Sequence, residues 1–170
     1  MRKKYLETGK IVSPRGLNGE VRIEPWCNTP GFLRKFKNLY FGQHKKKLSV
    51  EHSFVHKSFV IMKFEEINSK EKSSKLKNQI VFVNKNDINL ESGVYFFRDI
   101  IGCKILDVNT KKDYGIVSEI FKTGSNDVYK IVKKDRTYLI PAVSEIVCNV
   151  RIKEKLILIQ PIKGIFDNEV

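Results

Sequence analysis

The residues best suited to chemistry in this chain are two arginines set among glycines. In Ser13-Pro14-Arg15-Gly16-Leu17-Asn18-Gly19-Glu20-Val21-Arg22 a proline and two glycines shape a tight connection. Arg15 and Arg22 carry planar guanidinium forks that grip phosphate or carboxylate with paired hydrogen bonds. The same pattern also reads as an ordinary hairpin loop, with Gly16 and Gly19 in a structural role. A second group is Tyr95-Phe96-Phe97-Arg98-Asp99-Ile100-Ile101-Gly102. Alternate rings there can fill a core while the remaining one meets a partner. A third, Gly124-Ser125-Asn126-Asp127-Val128-Tyr129, is a turn leading into a strand, and Gly124, Asn126 and Asp127 read as fold-defining turn chemistry.

The search for a catalytic centre yields no candidate residue. No GxxxxGK[ST] loop occurs, and Gly9, Gly16 and Gly19 lack the GxGxxG spacing, so nothing encodes a phosphate cradle ahead of a helix. His52 and His56 share a strand face at a separation of about 13 Å, too far to chelate one ion, and no metal site is expected. Cys27, Cys103 and Cys148 form neither a disulfide framework nor a zinc knuckle. Cys103 and Cys148 are expected to be small core hydrophobes. No cofactor is expected.

Charge points to a class of partner. Residues 1–90 hold 19 Lys+Arg against 8 Asp+Glu, whereas residues 91–170 hold 13 against 11. Most of the excess of +13 therefore lies in the first half, where it attracts polyanions by counterion release, RNA or DNA being the simplest. Lysine is 25 of the 32 basic residues, a bias that genome composition can also produce. No apolar run of membrane-spanning length occurs, and charge rather than an apolar stretch follows Met1. A cytoplasmic location without membrane contact is expected.

Short apolar runs bounded by turn formers supply the elements. Strands are expected at 10–12, 20–24, 39–41, 48–55, 58–64 and 80–83, and again at 103–108, 116–121, 127–132, 137–141 and 156–160. A short exposed helix is expected from Ser69 to Lys77 with Ser69 as its N-cap, and a helical turn at Phe32–Phe36. The segment 85–94 is poor in periodicity and reads as a linker between domains at 1–84 and 95–170. The fold class is mainly β: two small barrels, because closure removes exposed strand edges.

In this order, Gly9 to Val12, Arg15 to Ile23, Tyr95 to Gly102, Asn126 to Val128 and Leu139 to Val143 resemble the RimM family of ribosome maturation factors. The resemblance spans nearly the whole chain. It implies an N-terminal barrel similar to domain two of translation factors and a C-terminal PRC-barrel. It also implies a non-catalytic role: binding the immature small (30S) ribosomal subunit, assisting assembly of its head and maturation of 16S rRNA. Small-subunit protein nineteen and 16S pre-rRNA are the implied partners of a chain expected to act as a monomer. Tyr95, Phe96, Arg98 and Asp99 are then the expected protein contacts, and Arg15, Arg22, Lys45, Lys46 and Lys47 the expected rRNA contacts. The chain departs from the family pattern at Arg15, Cys27-Asn28, Gly31, Lys72 and Ser73, and the family's tandem aromatic pair falls on Tyr95-Phe96. The rival readings are a PRC-barrel interaction module or an RNA-modifying accessory protein unrelated to 30S maturation.

Overall fold

Alternation of buried and solvated side chains fixes the strands of the first half. In the computed structural model, which describes residues 4–167, these are β1 (Tyr5–Arg15), β2 (Glu20–Pro25), β3 (Asn38–Phe41), β4 (Lys46–His56), β5 (Phe59–Phe64) and β6 (Ile80–Asn84). They close into a barrel in the order β1-β2-β5-β4-β3-β6. Ile11, Val21, Ile23, Leu39, Leu48, Met62, Phe64 and Val81 fill it, all essentially inaccessible to solvent. Each such large side chain contributes about 1.5–3 kcal/mol by leaving water. The helical turn lies at Pro30–Lys35 and is 3-10 in form. Helix α1 (Lys70–Ser74) is capped by Ser69, whose hydroxyl accepts the Lys72 N–H at 3.2 Å. β1 runs on through Pro14 and Arg15, which the sequence assigns to a loop; the turn proper is 16–19.

Every neighbouring pair in this barrel is antiparallel. The β1–β2 turn, the β3–β4 turn and the segment from β5 through α1 to β6 therefore gather at one end. Gly19 shows why a glycine is needed there: its φ is +92°, and a Cβ would lie 2.3 Å from the Ile67 carbonyl oxygen. That close approach ties the first turn to the segment leading into α1, as does the Lys70 N–H donating to the Leu17 carbonyl at 3.0 Å.

Contacts divide the chain into two units, Met1–Val94 and Tyr95–Val170. The stretch read as a linker is tied to the first unit. Asn28 Nδ2 donates to the Gly93 carbonyl at 2.7 Å, and Lys35 pairs with Glu91. The second unit contains α2 (Phe97–Ile100), β7 (Lys104–Asp107), β8 (Asp113–Lys122), β9 (Asp127–Lys133), β10 (Arg136–Pro141), β11 (Val147–Arg151) and β12 (Leu156–Ile159). Its sheet order is β10-β9-β8-β7-β12-β11. Two features set this sheet apart from the first barrel. β12 pairs with β7 in parallel, and no ladder joins β10 to β11, which are the edge strands among the described residues. The core joins Ile100, Cys103, Ile105, Val117, Ile131, Ile140, Ile157 and Ile159. Cys148, expected in that core, is exposed on β11. Its strand alternates toward solvent at that position.

Candidate functional site

The outer face of β2, β5 and β4 is built by register. Val21 and Ile23 of β2 oppose Met62 and Val60 of β5 and point into the barrel, so Arg22, Ile61 and Phe54 form a row on the outside. Ile61 is nonetheless fully buried. The Arg22 guanidinium lies 5.0 Å from the centre of the Phe59 ring, and that of Arg15 lies 5.2 Å from Phe54. Each stack is worth about 0.5–1 kcal/mol at an exposed site. Glu20 sits between Arg15 and His52: one carboxylate oxygen accepts Arg15 Nη1 at 3.0 Å, and the other lies 3.0 Å from His52 Nε2. The hydrogen bond with His52, aided by Arg15, outweighs burial and holds the Glu20 carboxyl below its usual range. Arg15 and Arg22 thus share one platform with Phe54, Phe59 and His52. The sequence gives no sign of the two phenylalanines, which arrive from strands more than 30 residues away.

Lys45, Lys46 and Lys47 lie elsewhere, at the β3–β4 turn. Lys45 is bent back, with its ammonium 2.8 Å from the Gly42 carbonyl and 3.7 Å from the centre of the Phe82 ring. Lys46 and Lys47 are exposed. Lys46 also lines a cavity of about 590 Å³ between this turn and α1, shared with His44, Glu66, Lys72, Lys75 and Gln79. Both oxygens of Glu66 accept the Ser49 N–H at 3.0 Å. Burial pushes the Glu66 carboxyl up, but the backbone N–H groups of Glu66 and Ser49 prevail and hold it low.

In the second unit the three consecutive aromatics do not alternate along a strand, because Phe97 opens α2. Phe96 is 3% exposed and Phe97 is also buried. Phe96, expected as a partner contact, is therefore shielded from solvent in this conformation. Tyr95 is half-buried and packs against the core of the second unit. Arg98 is exposed, and the Asp99 carbonyl accepts Lys155 Nζ at 3.0 Å. The turn residues behave structurally: the Thr123 N–H donates to the Asn126 carbonyl at 3.2 Å, and the Asn126 N–H returns to Thr123 Oγ1 at 3.1 Å. Gly124 lies in open space within that turn. The Asp127 carbonyl accepts the Ala142 N–H at 2.8 Å, and burial raises its carboxyl despite Lys122 at 3.9 Å. What the sequence reading missed is an apolar outer face on β8, β9 and β10. Phe121, Val128 and Pro141 form one row and Ile116 and Val132 another, and between them Leu139 lies in a row with the Lys130–Glu119 ion pair, so the face is apolar around a charged middle. Ile116, Phe121 and Leu139 are each 38–47% exposed.

Among the described residues no three His, Cys, Asp or Glu side chains gather to hold a metal ion. No helix among them is long and apolar enough to cross a membrane. Burial pushes the Cys103 thiol up, which suits a packing role rather than a nucleophile.

Comparison with known proteins gives a consistent result. Residues 6–88 match the RimM N-terminal domain family, and residues 97–165 match the RimM PRC barrel domain family. A ribosome maturation factor RimM of Clostridioides difficile is 37% identical over 166 residues, 96% of each chain. One from Caldicellulosiruptor bescii is 37% identical over 170 residues, covering 96% of this chain and 99% of the relative. A solved structure described as a 16S ribosomal RNA processing protein RimM, from Pseudomonas aeruginosa, shares 18% identity. It aligns with a TM-score of 0.47 over 93% of this chain and 98% of its own.

Proposed function

This chain belongs to the RimM family of ribosome maturation factors, and from that premise we propose that it acts without catalysis on the immature 30S subunit. In this reading the first unit holds 16S pre-rRNA of the head through Arg15, Arg22, Lys46 and Lys47. The second unit contacts a ribosomal protein, small-subunit protein nineteen, through the apolar outer face of β8–β10 with Tyr95, Arg98 and Asp99 as the other candidates. The chain works as a cytoplasmic monomer.

The observation that carries the reading is the platform of two arginines stacked on two phenylalanines, in the unit that holds most of the basic excess. Guanidinium groups supply bidentate phosphate contacts, and the rings beside them supply faces on which bases stack. The second unit has near-balanced charge and an exposed face in which apolar rows flank the Lys130–Glu119 pair, a mixture suited to a protein-binding surface.

A factor of this kind promotes assembly only by binding the unfinished particle more tightly than the finished one, since equal affinity shifts no population. Co-sedimentation with immature and mature small subunits tests this. The expected result is at least about tenfold tighter binding to the immature particle, about 1.4 kcal/mol. Equal binding to both overturns the proposal. Binding to a naked head rRNA fragment should fall steeply with salt, and binding to the protein partner should not.

A further inference from the structure

The cavity at the α1 end of the first barrel is not part of the arginine platform, and nothing in the family match assigns it a role. Its floor is apolar: Phe41, Leu48, Ile67 and Leu76 line it and are all buried. Its rim is basic, from Lys46, Lys72 and Lys75, all exposed, with His44 beside them. The one carboxylate in the lining, Glu66, accepts the Ser49 N–H with both oxygens and also attracts Lys46, so it offsets part of the rim's charge and leaves Lys72 and Lys75 as the main cations. Lys72 and Lys75 are held only by exposed neighbours, Asn68 at 2.9 Å and Glu71 at 3.4 Å. Such contacts are worth little and exchange readily.

An apolar floor under a cationic rim suits a ligand with a flat apolar face and a flanking anion. The volume of about 590 Å³ lies in the range of small-ligand pockets, about 300–1,000 Å³. We propose that this groove takes one unpaired RNA nucleotide, its base against Leu48, Ile67 and Leu76 and its flanking phosphates on Lys46, Lys72 and Lys75. The inference deepens the proposed function and rests on it, in that it names single-stranded rather than paired rRNA as the partner of this end of the barrel. A duplex keeps its bases stacked inside and presents only phosphates, which would leave the floor uncovered. An acidic peptide offers the charge without the flat face.

The test uses the full chain and three probes: a fluorescent single-stranded RNA oligonucleotide, the same sequence as a duplex, and polyglutamate. Lys72→Ala/Lys75→Ala is compared with Lys70→Ala/Lys77→Ala, which removes equal charge from exposed positions outside the cavity lining. The expected result is preference for the single strand over the duplex by at least about tenfold. The first variant should lose most of that preference and flatten the salt slope by about 1.4, two phosphate contacts at about 0.7 each. The control variant should keep the preference. Equal binding of duplex and single strand, equal effects of the two variants, or competition by polyglutamate at matched charge overturns the groove. A Lys72→Ala/Lys75→Ala chain that still favours immature subunits but has lost single-strand preference supports it. A native chain that does not distinguish immature from mature particles overturns the proposed function, and the oligonucleotide comparison still decides the groove.

Discussion

Replacing Gly19 by alanine should be far more damaging than replacing Gly16, although the two lie in one turn. Gly16 has φ +63°, with nothing within 4 Å of a new Cβ. Its cost is the left-handed penalty of about 1–2 kcal/mol, offset by about 0.4–1 kcal/mol from a less flexible unfolded chain. The net effect is about 1 kcal/mol or less. Gly19 has φ +92°, and its Cβ would stand 2.3 Å from the Ile67 oxygen and 2.8 Å from the Ile67 carbonyl carbon. Both are backbone atoms that no rotamer change can move away. The backbone strain is of order 1–3 kcal/mol, and relief by shifting the 65–69 segment loosens the Lys70 to Leu17 hydrogen bond, about 1 kcal/mol more. With the same unfolded-chain offset, the expected loss is about 2 kcal/mol. For a unit of this size that lowers the midpoint of unfolding by about 8–16 °C, against about 4–8 °C for Gly16→Ala. Trp26 is the only tryptophan and lies in the first unit, so its fluorescence reports that unit alone during heating. A Gly19→Ala midpoint no lower than that of Gly16→Ala would refute the argument that this turn is fixed by close approach to Ile67.

Lys63 is buried, with its Nζ 3.1 Å from the half-exposed Glu51 and 2.9 Å from the Phe64 carbonyl. Lys63→Met should keep the packing of the stem and leave Glu51 solvated, costing within about 1 kcal/mol, whereas Lys63→Ala should cost about 2 kcal/mol or more; urea titration followed by Trp26 fluorescence checks the ranking. In the second unit, the backbone N–H groups of Thr110 and Asn109 donate to Asp107 and hold its carboxyl below the ordinary 3.8. Its stabilising contribution is fully present above that ordinary value and is lost as pH falls through the lower folded one. Asp107→Ala should therefore destabilise at neutral pH and weaken the acid dependence below about pH 4, read by near-ultraviolet tyrosine circular dichroism.

Local signals made much of the barrel legible. The alternation of Glu20-Val21-Arg22-Ile23 survives as a half-buried strand, and Ser69 caps α1 as its hydroxyl predicts. What stayed hidden depends on partners distant in sequence. The parallel β7–β12 pair joins strands separated by roughly 50 residues, a choice that no local pattern encodes. β11 carries exposed Cys148 and Asn149 at a register break, which removes the period a strand would show. The aromatic run at 95–97 fits a strand by composition, but tertiary packing turns Phe97 into the start of a helix. At the candidate site, the arginines could be read and their ring partners could not. The spatial order β2-β5-β4 is not the chain order, and that order alone brings Phe54 and Phe59 beside Arg15 and Arg22.

This separation between readable charge and unreadable shape bears on how a maturation factor selects its particle. Lysine on an open surface attracts any phosphate backbone, so the net charge of the first unit raises affinity for finished and unfinished RNA alike. Charge of that kind moves no equilibrium between the two states. Selectivity in the proposed function therefore has to come from groups that act only on a particular arrangement of RNA. The platform has that character, since an arginine held over Phe54 or Phe59 has a fixed direction and must match phosphate and base together. Glu20 sharpens the requirement. Its carboxylate already occupies Arg15 and lies against His52, so a lone phosphate merely exchanges one anion for another. Only RNA that also covers the rings gains enough to displace it.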